Sequence, residues 1–396
     1  MSNRLQLLFV DDEPLVLEGL RRQFRPLREQ WELSTALGGE EALRQIAAKE
    51  FDVVVSDMRM PGLDGAGLLA EVAQQQPRAL RIILSGFSER ENTLRSLGPA
   101  HRWLSKPCEA GLLRQAVERS LRLRAEMAQP AVAAVLAAVD DLLLLPPVLR
   151  ELLNELASAE PSSQRAAGIL ARDPQLSLAT ALLAEAIGLK SQALTQSETA
   201  LLATIPPGIL RGLALAAHLQ TCCGSDQDGV WEHGLNVSHI ARHVTVGLPL
   251  SVQEMATTAG LLHDGGRLIL ASLGMLQRES LAASCRRGLA LTEAEKEVYG
   301  CDHALLGAAL LSRWHLPDPL VEAVAWHHRP TLGGLDGALA VHLADALSGA
   351  RESARLDDVR VAEAGLTGRL AEWQAWTAAN QKIPGNNFRE KLPCVG

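Results

Sequence analysis

Short apolar runs, each closed by a polar residue, punctuate the first 107 positions. Leu7-Leu8-Phe9-Val10 leads into Asp11-Asp12, and Val53-Val54-Val55-Ser56 leads into Asp57. Arg81-Ile82-Ile83-Leu84 leads into Ser85, and Trp103-Leu104-Ser105 leads into Lys106-Pro107. Apolar runs without polar alternation read as strands covered on both faces, as in a parallel sheet. Helical patterns fill the gaps: Pro14 to Phe24, Gly39 to Lys49, Gly65 to Gln75, Glu89 to Leu97, and from Glu109 onward. Five such units predict an α/β, doubly wound, five-stranded parallel sheet with right-handed crossovers.

The last of these helices outruns the sheet. Leu112, Leu113, Ala116, Val117, Ser120, Leu121 and Arg124 continue one stripe toward Pro130. Such a stripe either transmits a signal or pairs with a second subunit through Glu109–Met127, or it packs only on its own sheet. From Ala131 to about Trp376 the strand signal disappears. Leu/Ala stretches broken by Pro and Gly predict an all-α domain of about ten helices. Pro146-Pro147 and Asp173-Pro174 mark two helix starts, with Asp173 as N-cap. Beyond Trp376 the chain turns polar and reads as a loose tail. The expected divisions are 1–124, a helical linker 125–139, an all-α domain 140–376, and a tail 377–396.

Composition narrows the classes. A chain of 396 residues implies more than one domain. Hydrophobic residues make up 47%, enough for large cores, and the Leu/Ala bias favours helix. A net charge of −8 argues against a broad nucleic-acid surface. Met1-Ser2-Asn3-Arg4 is no basic-then-apolar leader, and no uncharged apolar run reaches about 18 residues. The expectation is a cytoplasmic protein with no membrane contact. Six scattered cysteines without a CxxC fit free thiols in a reducing compartment.

In an open α/β sheet the ligand site lies beyond the carboxyl ends of the strands. One acidic cluster, one hydroxyl and one lysine are therefore expected on one edge. Clustered carboxylates favour a hard cation such as Mg2+. A carboxylate beside it can attack a phosphoryl donor. Phe9-Val10-Asp11-Asp12-Glu13-Pro14, Ser56-Asp57-Met58-Arg59-Met60-Pro61-Gly62-Leu63-Asp64-Gly65, Leu84-Ser85-Gly86 and Leu104-Ser105-Lys106-Pro107 resemble the receiver domain of two-component response regulators. The resemblance covers roughly the first 120 residues and implies a flavodoxin-like fold. It implies Asp57 as phosphoacceptor, charged by a sensor histidine kinase. It implies Mg2+ held by Asp12, by Asp11 through water, by Asp57 and by the Arg59 carbonyl. Lys106 and Ser85 would contact the phosphoryl group, and Trp103 stands where the family has its switch aromatic.

The helical part carries a second constellation: His233, His263-Asp264, His303, His327-His328 and Asp345. A bundle can point such residues inward at one centre, and imidazole with carboxylate suits a divalent transition metal. A buried pocket is expected, lined by His263, Asp264, His303 and Asp345, with His233, His327 and His328 at its rim. Adjacent residues cannot both face one point on a helix, so one member of each pair is expected to stand behind the other. Trp231-Glu232-His233, Leu261-Leu262-His263-Asp264-Gly265-Gly266-Arg267, Asp302-His303-Ala304-Leu305-Leu306-Gly307 and His327-His328-Arg329-Pro330 resemble the HD superfamily of metal-dependent phosphohydrolases. Leu145-Pro146-Pro147-Val148 and Asp173-Pro174-Gln175-Leu176-Ser177 resemble its HDOD branch. That branch implies a signalling output that binds a downstream protein partner. The HD-GYP branch implies hydrolysis of a cyclic dinucleotide, and the histidine and aspartate series matches its ligands. The Gly-Tyr-Pro loop, however, is replaced by Arg329-Pro330-Thr331-Leu332-Gly333-Gly334, and Arg267 stands where a lysine is usual.

Overall fold

The computed structural model describes residues 4–86, 100–158, 160–189, 197–223, 229–330, 335–349 and 356–380. The expected helix Glu89–Leu97 lies outside them, as do tail residues 381–396. The chain divides into two compact units, one of mainly residues 1–125 and one beginning at Glu126.

In the first unit, β1 (Leu5–Asp11), β2 (Trp31–Leu37), β3 (Val53–Asp57), β4 (Leu80–Ser85) and β5 (Arg102–Ser105) form one sheet in the order β2-β1-β3-β4-β5. Every neighbouring pair is parallel. The helices are α1 (Pro14–Phe24), α2 (Gly39–Ala48), α3 (Gly65–Gln75) and α4 (Ala110–Met127). Period-two alternation splits the buried strand residues between two faces. Leu8, Val10, Val54 and Ile83 pack with Ala42 and Ile46 of α2 and with Leu68, Leu69 and Val72 of α3. Leu7, Phe9, Val53, Val55, Ile82 and Leu84 pack with Leu17, Leu20 and Phe24 of α1 and with Leu113 and Val117 of α4. The central strands β1, β3 and β4, covered on both faces, keep their polar residues near their ends, and that constraint makes the sheet edge chemically rich.

Local features hold that edge. Pro14 stands in the first turn of α1, and the Asp64 carboxylate accepts from Gly67 N at 2.8 Å to cap α3. Gly65 follows because a Cβ there would lie 2.1 Å from the Asp57 carbonyl oxygen. The stripe on α4 differs from expectation, since Leu112 leaves it and Leu123 joins it. Leu113, Ala116, Val117, Ser120 and Leu123 are buried, whereas Leu112 is 56% exposed. A step of three or four residues from Leu113 leads to Leu123 and leaves Leu112 on the outer flank.

The second unit is all-α among the described residues, with more and shorter helices than the ten expected. Pro, Gly and Asp interrupt the long apolar stretches as N-caps and C-caps: Asp173, Asp302, Asp336 and Asp357 each cap a helix N-terminus. The segment beyond Trp376 begins in helix, since Thr367–Ala379 runs three residues past Trp376. The five described cysteines are free. No helix among the described residues is long and apolar enough to cross a membrane.

Candidate functional site

Strand register brings the first set of residues together. Val10 pairs with Ser56, Asp57 with Leu84, and Ser85 with Ser105, so Asp11, Asp57, Ser85 and Lys106 all emerge at the carboxyl edge. Lys106 Nζ lies 2.6 Å from Asp11 Oδ2 and 2.6 Å from Asp57 Oδ1. The other Asp11 oxygen accepts from Glu13 N at 3.0 Å, and Asp57 Oδ2 accepts from Arg59 N at 3.2 Å. Asp12 is exposed beside Asp11, and Asp57 is half-buried. Burial raises the Asp57 carboxyl despite the opposing Lys106 contacts. Burial would lower the Lys106 ammonium, yet its hydrogen bonds to Asp11 and Asp57 raise it. Ser85 is buried and its carbonyl accepts from Lys106 N at 2.7 Å. Trp103 is half-buried and packs on the core face shared by Leu8 and Val10.

The second constellation also converges. His263, Asp264, His303, His327 and Asp345 are buried, and His233 and His328 are partly so. His327 is fully enclosed, in the centre of the cluster, which differs from the rim position expected for it. His263-Asp264 lies in the turn between the helices Leu250–Leu262 and Gly265–Ala271, and His327-His328 lies in the turn after Asp318–Ala325. Both members of each pair can face one centre because neither pair is inside a helix. That overturns the expectation that one must stand behind the other.

Asp264 sits among the rings. Its Oδ1 is 3.2 Å from His303 Nε2 and 3.5 Å from His263 Nε2. Its Oδ2 is 3.1 Å from Arg267 Nη1. His233 Nε2 meets Asp345 Oδ1 at 3.1 Å. Three overlapping groups place donor atoms within 4.8 Å of one another: His303, His327 and His328; His233, His263 and Asp345; and His263, Asp264 and His327.

The donor set passes a stringent test. Nδ1 of His263 donates to the Gly260 carbonyl, and Nδ1 of His327 to the Val324 carbonyl, each at 2.7 Å. A carbonyl only accepts, so these bonds fix the tautomer and leave a lone pair on each Nε2. Both Nε2 atoms are buried and make no hydrogen bond. Burial lowers His263, and lowers His327 to about 3, so both rings stay neutral as metal ligands must. Asp264 is held well below the usual carboxylate range; burial opposes this, but the hydrogen bond and charge of His303 and the charge of Arg267 outweigh it. His303 is raised to about 10: burial works against it, and the carboxylates of Glu295 and Asp264 prevail.

Three supporting residues escaped sequence reasoning. Glu295 bonds His303 Nδ1 at 2.6 Å. His342 donates from Nδ1 to the His327 carbonyl at 2.7 Å. Glu126 accepts from Trp326 Nε1 at 3.1 Å and Arg329 Nη2 at 2.9 Å, on either side of the His327-His328 turn. His342 stands one helical turn before Asp345, a signal that was available. Glu295 lies in the charge run Glu293–Glu297, which reads as a solvated face. The adjacent glycines have a role as well. A Cβ on Gly266 would lie 2.0 Å from the His303 carbonyl oxygen, so the two helices touch backbone to backbone there.

Comparisons with known proteins match a family to each part of the chain. The response regulator receiver domain family matches residues 7–118, and the HDOD domain family matches residues 142–330. The transcriptional regulatory protein ZraR of Salmonella typhimurium is 29% identical over 166 residues, which are 41% of this chain and 36% of that protein. The response regulator protein PilR of Pseudomonas aeruginosa is 30% identical over 156 residues, 39% of this chain and 33% of that protein. The chain thus spans about a third of these relatives. A putative phosphohydrolase from Shewanella amazonensis shares 22% identity, covering 67% of this chain and 100% of that chain with a TM-score of 0.51, a likeness of fold alone.

Proposed function

Because the chain carries a response regulator receiver domain followed by an HDOD domain, we propose that it works in a phosphorelay, with Asp57 charged by a sensor histidine kinase and the helical domain passing the signal to a protein partner. The carrying observation is the Asp57–Lys106–Asp11 arrangement, with 2.6 Å contacts at the carboxyl edge of the sheet. A carboxylate oxygen of Asp57 would attack the phosphorus of the donor, the donor's bond to phosphorus would break, and an acyl phosphate would form. Lys106 Nζ and the Ser85 hydroxyl would then hold the phosphoryl oxygens. Asp11, Asp12 and Asp57 oppose one ammonium, so the charge balance fits an added Mg2+, held by these residues and the Arg59 carbonyl. Bound Mg2+ supplies positive charge to the transferring group. The added phosphoryl charge would act on the Ser85–Trp103 face and through Glu109–Met127 on the output. A small phosphodonor with Mg2+ should label the chain once by intact mass, and Asp57→Asn should abolish the label. Unchanged labelling in that variant refutes the assignment.

A second reading is a metal-dependent phosphohydrolase acting on a cyclic nucleotide or dinucleotide. It is favoured by the two buried Nε2 atoms with carbonyl-tied Nδ1 partners. His233, His263, Asp264, His303, His327, His328 and Asp345 would hold a divalent transition metal, which when bound activates water and polarises a phosphoryl oxygen. The absent Gly-Tyr-Pro loop weighs against turnover. Elemental analysis of the purified chain with a cyclic-nucleotide panel separates the readings. Metal without turnover leaves a non-enzymatic output; turnover that a chelator abolishes establishes the enzyme.

A further inference from the structure

We propose that Glu295 is the residue that positions His303 as a metal ligand and strengthens its donor nitrogen; this rests on reading the histidine and aspartate cluster as a metal site. Glu295 belongs to the helix Leu291–Tyr299, in a stretch whose other acids, Glu293 and Glu297, face solvent. Its own side chain turns inward and is 1% exposed, as is that of His303. One oxygen, Oε2, receives two hydrogens from the same residue: His303 N at 3.0 Å and His303 Nδ1 at 2.6 Å. A buried carboxylate is costly unless bonded and charge-matched, so its presence calls for a role. Capping alone does not require it, because Asp302 already caps the His303–Arg313 helix by accepting from Leu305 N at 2.9 Å.

The consequence is directional. A carboxylate can only accept from Nδ1, so the Nδ1 hydrogen is fixed toward Glu295 and Nε2 is fixed toward the cluster. Nε2 lies 3.2 Å from Asp264 Oδ1 and 2.9 Å from His328 Nε2. His263 and His327 are oriented the same way, but by neutral backbone carbonyls. A full negative charge behind the ring raises ligand basicity more than a carbonyl dipole does. Among the histidines of the cluster whose Nδ1 partner is described, His303 is therefore the one built to donate most strongly.

The test uses the full chain, stripped by a chelator and titrated with Co2+. Glu295→Gln keeps an acceptor oxygen and removes the charge. It should weaken Co2+ affinity roughly 10- to 100-fold and shift the Co2+ absorption bands. Glu293→Gln, on the exposed face of the same helix, should match wild type in both. Glu295→Asp keeps the charge with less reach and should restore the bands with an affinity between the two. It also serves as the decisive variant should Glu295→Gln not fold. A structural role alone predicts a lower melting temperature of the metal-free chain with wild-type Co2+ affinity and bands, and that result overturns the proposal. A wild type that takes up no Co2+ overturns the metal reading, and this role falls with it.

Discussion

Adding one methyl group at either of two adjacent glycines should have opposite effects. A Cβ on Gly266 meets the His303 carbonyl oxygen at 2.0 Å, its carbon at 2.8 Å and Gly307 N at 2.9 Å. All three are backbone atoms, so no side-chain rotation relieves the clash. The first contact is about 1.4 Å short of ordinary van der Waals distance, and the helices Gly265–Ala271 and His303–Arg313 must separate. Overpacking of that kind costs up to ~3 kcal/mol, offset by up to ~1 kcal/mol of helix propensity, for a net loss of ~2 kcal/mol. For a unit of this size that lowers the melting temperature by ~4–8 °C. A Cβ on Gly265 meets only Leu219 Cδ1, at 3.4 Å, the free end of a flexible side chain. Gly265→Ala should be neutral or stabilising by up to ~1 kcal/mol. Thermal and urea unfolding of the two variants give the comparison. Metal affinity adds a second readout, since only Gly266→Ala displaces His303. Equal stabilities for the two variants, or an unaltered Gly266→Ala, would refute the backbone-contact argument.

His263→Ala should strip bound metal and lower the melting temperature of the helical unit, because metal binding free energy is also folding free energy; elemental analysis and calorimetry check it. In the metal-free chain His303 is raised to about 10 from an ordinary value near ~6.5. Its stabilisation is complete below ~6.5 and lost as pH rises toward 10, so the melting temperature should fall across that range, and fall less in His303→Gln. Glu126→Gln should loosen the turn held through Trp326 and Arg329 and weaken metal binding severalfold, with Glu118→Gln as an exposed control. Phosphorylation at Asp57 should alter hydrogen exchange within residues 100–150; identical protection in both states would exclude signalling through that segment.

Local pattern was enough for the receiver. The apolar runs ending at Asp11, Asp57, Ser85 and Lys106 specify strands covered on both faces, and such strands must expose their polar residues at the ends. The bounds of α1 and α3 followed from Pro14 and from Gly65 in the same way. In the helical unit the sequence determined which residues carry chemistry but not how they meet. His327 reads like a rim residue and stands at the centre, because chain reversal after Ala325 turns it inward. His263-Asp264 and His327-His328 look like pairs with one idle member, yet both members face the cluster, because each helix stops just before its pair. Glu295 gives no sign of itself among Glu293, Lys296 and Glu297. Its function depends on which face of one helix meets the start of another, and helix propensity and charge leave that open. Gly265 and Gly266 look alike as letters; only the close approach of the His303 backbone separates them. What a strand end displays is decided within a few residues of chain. What a bundle encloses is decided by where its helices stop and which faces they share, and that is a property of the packed whole.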